Sequence, residues 1–282
     1  MHNVTISGDS INGRGVPCIK LMNCSNIHVT KCILLNSTDV GVFIWNCSGV
    51  TIDSCYISKV ASGVFAIGCS NGAINITSNE FKNMTGPYPK GACVQFSNVS
   101  GSNSSVSYNR CENISGESFP EDGISMYKSN GEAGSPIMIT GNWIRGGGPS
   151  TTGSGITLGD HGGSYQVAEN NIIVNSGYIG MQVAGGSNIQ IINNAITSSA
   201  FAWSHLGLGC GNYSGLPSSD ITISGNKVNW TAGKLSDQLK GSLSIEKDAS
   251  FQAGTVMPNG WSTNILNAQI DASILPAAII TR

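Results

Sequence analysis

A short motif that recurs along most of the chain constrains the fold more than any other feature of this sequence. The motif is an apolar residue, two small or polar residues, Asn, any residue and a second apolar residue, as in ITGNWI at Ile139–Ile144. The Asn position recurs at 79, 109, 142, 170, 194 and 226, and Asp9, Cys32 and Cys55 hold it in earlier copies. Because the intervals lie between 23 and 33 residues, the repeat predicts a solenoid.

A second pattern follows each copy of the motif and predicts another β-strand, in which apolar residues alternate with variable ones. Side chains of a strand point alternately to its two faces, so the apolar set is expected to face the interior. The expected inward set is Ile19 and Leu21, Val42 and Ile44, Val64 and Ala66, Val94 and Phe96, Ile124 and Met126, Ile156 and Leu158, Met181 and Val183, Leu206 and Leu208, and Leu243 and Ile245.

Short strands of this kind, stacked in parallel, form a parallel β-helix. The repeat resembles the right-handed parallel β-helix (pectin-lyase-like) superfamily over about residues 3–246. The resemblance implies an all-β, single-domain, right-handed parallel β-helix of about nine coils. It leaves function open, because that superfamily includes lyases, glycoside hydrolases, epimerases and phage tailspikes. Asp160-His161-Gly162 echoes only part of the polygalacturonase pattern, and no family signature is complete.

The repeat also divides the chain. Residues 1–246 are predicted to form the β-helix, and residues 247–282 an irregular C-terminal tail or cap that covers the last coil or packs along the side of the helix. Lys234–Lys240 is expected to form a helical turn. The sequence opens inside a repeat copy, with neither a signal peptide nor an N-terminal cap, and we expect an extracellular or cell-surface protein.

Composition excludes two classes of partner. Only 11% of the residues are charged and the net charge is −2, so no basic surface for nucleic acid is expected. No apolar run approaches the roughly 18 residues of a membrane-spanning helix.

The nine cysteines follow the repeat and contain no CxxC pair. Cys24, Cys47 and Cys69 recur at intervals of 23 and 22 residues, and Cys32 and Cys55 at 23. Since neighbouring strands lie about 4.8 Å apart, these spacings predict stacked cysteine ladders, and disulfides remain open. We therefore expect no metal site and no cofactor, with a Ca²⁺ ion left as an open alternative.

The connection that follows the motif is longer in the middle of the chain. From the Asn position to the middle of the next strand takes 11, 11 and 10 residues in the first three coils and 16, 16 and 15 in the next three. The extra residues lie in the segments 83–90, 116–122 and 145–150. Insertions in a solenoid emerge on one face, which is often the binding face, so these loops are expected to wall a cleft.

The outward positions of the second strand carry aromatic residues, which predicts a surface that binds something. Phe43, Trp45, Phe65, Ile67 and Tyr127 are expected to face outward over a core that is already apolar. Sugar rings stack on aromatic faces, which favours a glycan groove; a covering tail, a missing N-terminal segment or a neighbouring subunit would also explain the patch. The predicted substrate-binding residues are Trp45, Phe65, Gln95, Tyr127, Lys128 and His205.

The ionisable residues near the middle coils are few. The predicted catalytic residues are Glu121, Asp122, Asp160 and His161. Strand geometry places Asp122 and Asp160 roughly 20 Å apart, too far to act on one bond. Glu117 with Glu121 or Asp122 would give a hydrolase pair.

A second combination of these residues is open. Asp160 with His161 would give an acid–base pair, with Tyr127, Lys128 and Lys90 nearby. Lyase chemistry needs a base and a cation near a uronate carboxylate, a requirement that Lys128 and His161 could meet.

Two functions from different classes follow. The first is a polysaccharide lyase or glycoside hydrolase that acts on an acidic or neutral glycan over the middle coils. The alternative is a spike or adhesin without catalytic activity, or a tailspike-like glycan-binding module, whose outward aromatics form an oligomer interface, such as that of a homotrimer.

Overall fold

The structure, a computed structural model, describes residues 1–87, 91–212, 215–233 and 257–281, and the backbone of 243–245. The predicted helical turn at Lys234–Lys240 and the boundary between residues 246 and 247 lie outside these residues. No helix among them is long and apolar enough to cross a membrane.

Three stacks of parallel strands, which we call sheets 1, 2 and 3, form a right-handed parallel β-helix, as the repeat predicts. Sheet 1 contains His2–Ser7, Ser25–Thr30, Ser48–Asp53, Ile74–Thr77, Ser105–Ser107, Ile137–Thr140, the second half of Ser154–Glu169, Gly186–Ile192, Ser218–Ser219 and Thr222–Ser224. Sheet 2 contains Ser10–Arg14, Ile33–Ser37, Tyr56–Val60, Glu80–Lys82, Arg110–Glu112, Trp143–Arg145, Ile172–Val174, Ala195–Ser198, Lys227–Trp230 and Ile265–Leu266. Sheet 3 contains Ile19–Met22, Val42–Trp45, Val64–Ile67, Val94–Ser97, Ile124–Asn130, the first half of Ser154–Glu169, Ile179–Val183, Leu206–Cys210 and Leu243–Ile245. Two short 3₁₀ helices, Trp261–Thr263 and Ala272–Ile274, lie in the C-terminal segment.

The interior is filled by the alternating apolar side chains. In Val42–Trp45, for example, Val42 and Ile44 are fully buried while Trp45 keeps 39% of its surface exposed. The predicted inward set is buried from Ile19 through Leu208, which confirms the register of sheet 3. Parallel stacking then places equivalent residues of successive coils directly beside one another.

The turn between sheets 1 and 2 is built on a ladder of asparagine side chains. From Asn109 onward, each side-chain oxygen accepts hydrogen bonds from the backbone and side chain of the preceding ladder residue, as Asn142 Oδ1 does from Asn109 at 3.0 Å. One prediction here was wrong. Asn171, not Asn170, is the ladder residue of its coil, whereas Asn170 is exposed in a left-handed conformation with φ of 55°. The ladder also extends to Asn264, which accepts from Asn226 at 2.7 Å.

Cysteines occupy two kinds of turn. The Cys24 backbone N–H donates to Cys47 Sγ at 3.3 Å, and the Cys47 N–H donates to Cys69 Sγ at 3.5 Å, so these three form the predicted ladder between sheets 3 and 1. Cys55 takes an Asn position, and its N–H donates to Asn79 Oδ1 at 3.0 Å. Cys93 and Cys111 form a disulfide across the coil interior, with their Cα atoms 6.4 Å apart.

The C-terminal segment runs along the outside of sheet 2. Arg145 donates to the carbonyls of Ala272, Leu275 and Pro276 at 2.7–3.1 Å. Leu275, Ile279 and Ile280 pack against Val174. The described part of the tail therefore first extends the last coil through Asn264 and Ile265–Leu266, then packs along the outside of sheet 2, and leaves the outer face of sheet 3 uncovered.

Candidate functional site

The long connections between sheets 2 and 3 wall a cleft of about 1070 Å³ over the middle coils. Each predicted loop contributes: Pro87 comes from the first, Phe119 and Pro120 from the second, and Pro149 from the third. The predicted placement of the cleft is therefore confirmed for the described residues, whereas Lys90 lies outside them.

The floor of the cleft is a row of polar residues on the outer face of sheet 3. Gln95, Ser125, Thr157 and Gln182 are paired in register from coil to coil. Ser125, Thr157 and Gln182 are each less than 7% exposed, although they point away from the core. The loops enclose these polar groups, so a ligand at the floor would meet hydrogen-bonding groups held in fixed positions.

Asp122 lies at the centre of the site. Its Oδ1 accepts from the Ser154 N–H at 2.8 Å and from Thr157 Oγ1 at 3.0 Å, so the side chain reaches across to the next coil. Burial raises the pKa of Asp122 to about 7, and the negative charges of Glu121 and Asp160 add to the rise. Asp122 lines the cleft, and the residue as a whole keeps some exposure.

Asp160 is the second carboxylate of the site. Burial raises its pKa, His161 acts in the opposite direction, and Glu121 adds to the rise. The predicted separation of roughly 20 Å from Asp122 is wrong. The Asp122 side chain bonds to Thr157, which pairs with Ser125, and Asp160 pairs with Tyr127 only two residues further on, so about 7 Å along the sheet separates the two sites.

Glu121 is held at the rim of the cleft. Its carboxylate accepts from Thr152 Oγ1 at 2.5 Å, which ties two wall loops together. Gly153 allows the backbones of these two loops to lie close together, because a Cβ at this position would lie 1.7 Å from the Glu121 carbonyl oxygen. Glu117, the other predicted partner, instead accepts from Asn83 Nδ2 at 2.7 Å and does not line the cleft.

His161 and Tyr127 form one side of the site. Their rings lie 4.9 Å apart between centroids, and Tyr127 pairs in register with Asp160. Lys128 does not line the cleft; its Nζ lies 5.2 Å from the Tyr127 ring centroid. The described lining contains three carboxylates and neither Lys nor Arg, so the cleft is acidic.

The other predicted binding residues lie around this centre. His205 is 6% exposed and stacks behind Tyr178, with ring centroids 4.7 Å apart. Trp45 and Phe65 lie on earlier coils of sheet 3 and also face outward. Phe65 is in the row of Gln95, and Trp45 is in the neighbouring row that contains Tyr127. The structure thus brings together Glu121, Asp122, Asp160, His161, Gln95 and Tyr127.

Sequence reasoning missed Tyr178 and Gln182, which both line the cleft. Gln182 has a detectable signal, because it is the outward polar residue between Met181 and Val183 and aligns with Thr157. Tyr178 precedes its strand in a connection and has no such periodic signal.

Solved structures with this architecture are distant in sequence. The surface adhesin PfbA of Streptococcus pneumoniae aligns with 82% of this chain at 12% identity and a TM-score of 0.52, and the alignment covers 65% of that protein. Tailspike protein 3 of bacteriophage CBA120 aligns with 92% of this chain at 11% identity and a TM-score of 0.40, over 43% of its own length. The chain thus spans less than two thirds of either protein. The likeness to PfbA shows the fold alone, and no curated protein sequence matches significantly.

A family model described as "Periplasmic copper-binding protein (NosD)" matches residues 2–204. The matched segment begins with the first strand of sheet 1 and includes the Asn ladder through Asn194 and every residue that lines the cleft. Because the match covers well over half of the 282 residues, this chain belongs to the NosD family of parallel β-helix proteins.

Proposed function

We propose that this chain is a glycoside hydrolase that binds a polysaccharide along sheet 3 and cleaves it in the cleft. The observation that carries the proposal is the pair Asp122 and Asp160, two enclosed carboxyl groups near one another on the floor of a cleft. Hydrolysis of a glycoside needs one carboxylic acid and one carboxylate, and enclosure adjusts their pKa values toward neutrality.

Asp122 is the proposed general acid. With a pKa of about 7, it holds its proton in a large fraction of molecules at neutral pH. The two described donors both bond to Oδ1, which leaves Oδ2 to carry the proton. That proton passes to the glycosidic oxygen as the bond between this oxygen and the anomeric carbon breaks.

Asp160 is the proposed general base. Its raised pKa makes the carboxylate a stronger base, which takes a proton from water as the water oxygen bonds to the anomeric carbon. A separation of about 7 Å along the sheet lies within the roughly 6.5–9.5 Å of inverting enzymes and above the roughly 5–5.5 Å of retaining enzymes. Glu121 contributes negative charge that keeps Asp122 protonated.

The test measures cleavage of a panel of polysaccharides by the appearance of reducing ends and by the absorbance of unsaturated uronates. We expect reducing ends without unsaturated products. Asp122→Asn and Asp160→Asn are each expected to lower the rate by roughly 10²–10⁴-fold. Glu117→Gln is the matched control, because Glu117 lies on the same wall loop outside the cleft, and it is expected to keep the full rate. Unsaturated products would identify a lyase, with His161→Ala then expected to be the inactive variant.

The outward aromatic strip favours a second candidate, glycan binding without cleavage. Phe43, Trp45 and Phe65 extend the rows of the cleft floor, and Trp45 is 39% exposed. Such a strip fits a spike or adhesin, which would hold a polymer or pack against other copies in a homotrimer. Trp45→Ala is expected to keep the fold and to weaken polysaccharide binding; sedimentation then decides whether it instead dissociates an oligomer.

The copper in the family's description does not fit the described residues of this chain. They contain no cluster of three or more His, Cys, Asp or Glu that could hold a metal ion. Burial raises the pKa values of Cys47, Cys55 and Cys69, so these thiols stay protonated, whereas a cysteine ligand must be the thiolate. The Cys47 thiol donates instead to the Trp45 carbonyl at 3.2 Å. The ladder cysteines are therefore assigned a structural role.

We also propose an extracytoplasmic location. The Cys93–Cys111 disulfide is typical of oxidising compartments, and the family is described as periplasmic.

A further inference from the structure

One buried polar atom on the cleft floor has no hydrogen-bond partner among the described residues. Gln182 Oε1 is enclosed, and the residue is 6% exposed. A buried amide oxygen without a donor is costly, so native structures rarely leave one unless a ligand or water completes it.

The orientation of this amide is fixed by its neighbours. Gln182 Nε2 donates to Ser154 Oγ at 2.7 Å and to Thr157 Oγ1 at 3.3 Å. The Thr157 hydroxyl donates its own proton to Asp122 Oδ1, so it offers only a lone pair to Gln182. Exchanging the positions of Nε2 and Oε1 would place Gln182 Oε1 against Thr157 Oγ1, with no proton available to form a hydrogen bond between the two oxygens. Nε2 therefore faces Thr157, and Oε1 is the acceptor that is left over.

The charge of the cleft limits what can supply the missing donor. Glu121, Asp122 and Asp160 line it, and the described lining contains neither Lys nor Arg. A uronate carboxylate brought here would lose water and be repelled by Glu121 and Asp160, and His161 is the only group in the described lining that can carry a compensating positive charge. A sugar hydroxyl carries no charge and donates the one hydrogen bond that Gln182 lacks.

Tyr178, four residues before Gln182, also lines the cleft and offers an apolar surface for a sugar ring of the same glycan. The His205 ring stacks on the Tyr178 ring, with centroids 4.7 Å apart and planes only 9° from parallel. The backbone N–H of His205 also donates to the Tyr178 carbonyl at 2.8 Å. The ring is thus held in place before a ligand arrives, which lowers the entropy cost of binding.

We infer that Gln182 and Tyr178 form a sugar subsite that selects neutral glycans, with Gln182 Oε1 accepting a hydrogen bond from a hydroxyl of the bound sugar. This inference rests on the proposed function, since it names the substrate class of the same cleft. Gln182 acts as a specificity-determining residue.

The first test measures binding by the intact chain, using isothermal titration with hexasaccharides. The neutral probes are gluco-, xylo- and mannohexaose, and the charged probes are hexamers of galacturonate and mannuronate. A neutral hexamer that binds at least 10-fold more tightly than both uronates is expected. Uronate binding that is equal or tighter would overturn the inference while the proposed function stands. If no hexasaccharide binds and no polymer of the panel above is cleaved, both fail.

The second test replaces the acceptor. Gln182→Met keeps the length of the side chain and removes the amide, and it is expected to weaken binding of the best neutral hexamer about 10–100-fold. Gln190→Met is the matched control, since Gln190 lies on sheet 1 outside the cleft and is more exposed, and a change below about 3-fold is expected. Unchanged affinity in Gln182→Met would overturn the subsite. Circular dichroism checks the fold of each variant, and the selectivity of the unaltered chain decides the matter if one fails to fold.

Discussion

At the scale of single residues, the Asn ladder shows how neighbours of the same type take opposite roles. Asn171 is buried, and its side-chain oxygen accepts two hydrogen bonds from Asn142 at 2.9 Å. Asn170 is exposed and supplies the left-handed turn conformation that asparagine tolerates. The motif alone allowed either residue, because both fit its pattern and only the direction of the side chain separates them.

Asn171→Leu is expected to lower the free energy of unfolding by about 3 kcal/mol, because the buried Asn142 N–H and Ile139 carbonyl of the preceding coil both lose their side-chain partner. Asn170→Gly keeps the left-handed conformation, and it is expected to change the free energy of unfolding by less than about 1 kcal/mol. Urea denaturation followed by circular dichroism measures both. Equal losses in the two variants would contradict the assignment of Asn171 to the ladder.

At the scale of elements, the C-terminal segment is attached to sheet 2 through polar contacts as well as through the apolar cluster of Leu275, Ile279 and Ile280. Arg145 bonds to three carbonyls of this segment, and Glu112 accepts from the Ile279 N–H at 3.0 Å. The sequence predicts a tail that covers the last coil or packs along the side of the helix, because residues 265–282 are of mixed apolar character and lack the repeat. It does not predict which sheet is covered, since that choice depends on side chains far away in sequence.

Arg145→Gln is expected to release the segment and to lower the free energy of unfolding by about 2–4 kcal/mol, because several carbonyls lose a charged donor. Arg110→Gln is the matched control on the preceding coil. Arg110 is half exposed and lies 3.8 Å from Glu80, a surface pair worth at most about 1 kcal/mol. Limited proteolysis is expected to cut the tail of Arg145→Gln first, and equal resistance would count against this attachment.

At the scale of the whole molecule, periodicity predicts the solenoid, its inward face and the position of the cleft, because each depends on local spacing. The geometry inside the cleft is not periodic. The strand Ser154–Glu169 contains register shifts against Ile124–Asn130, and Asp122 folds over the next coil. An estimate that assumes the rise per residue of a regular strand therefore gives too long a distance between Asp122 and Asp160.

The stability of the whole chain is expected to depend on pH through Asp122. Its folded pKa of about 7 lies above the ordinary 3.8, so between these values the folded state binds more protons than the unfolded state. Stability therefore falls as the pH rises from about 4 to 8. Asp122→Asn removes this dependence and is expected to gain about 2–4 kcal/mol relative to the original chain between pH 5 and pH 8. Urea midpoints at both pH values measure this gain, and parallel pH profiles of the two proteins would contradict the raised pKa.

The loops that wall the cleft all leave the helix at the edge between sheets 2 and 3, whereas the Asn ladder lies at the opposite end of sheet 2. Lengthening a loop therefore costs little closure entropy and leaves the stacked amides untouched. The loop of each coil can therefore change in length and sequence independently of the loops on neighbouring coils. Relatives with the same inner architecture could thus diverge in what they recognise through changes of a few residues per coil, and grafting one such loop between family members would transfer specificity without redesign of the core.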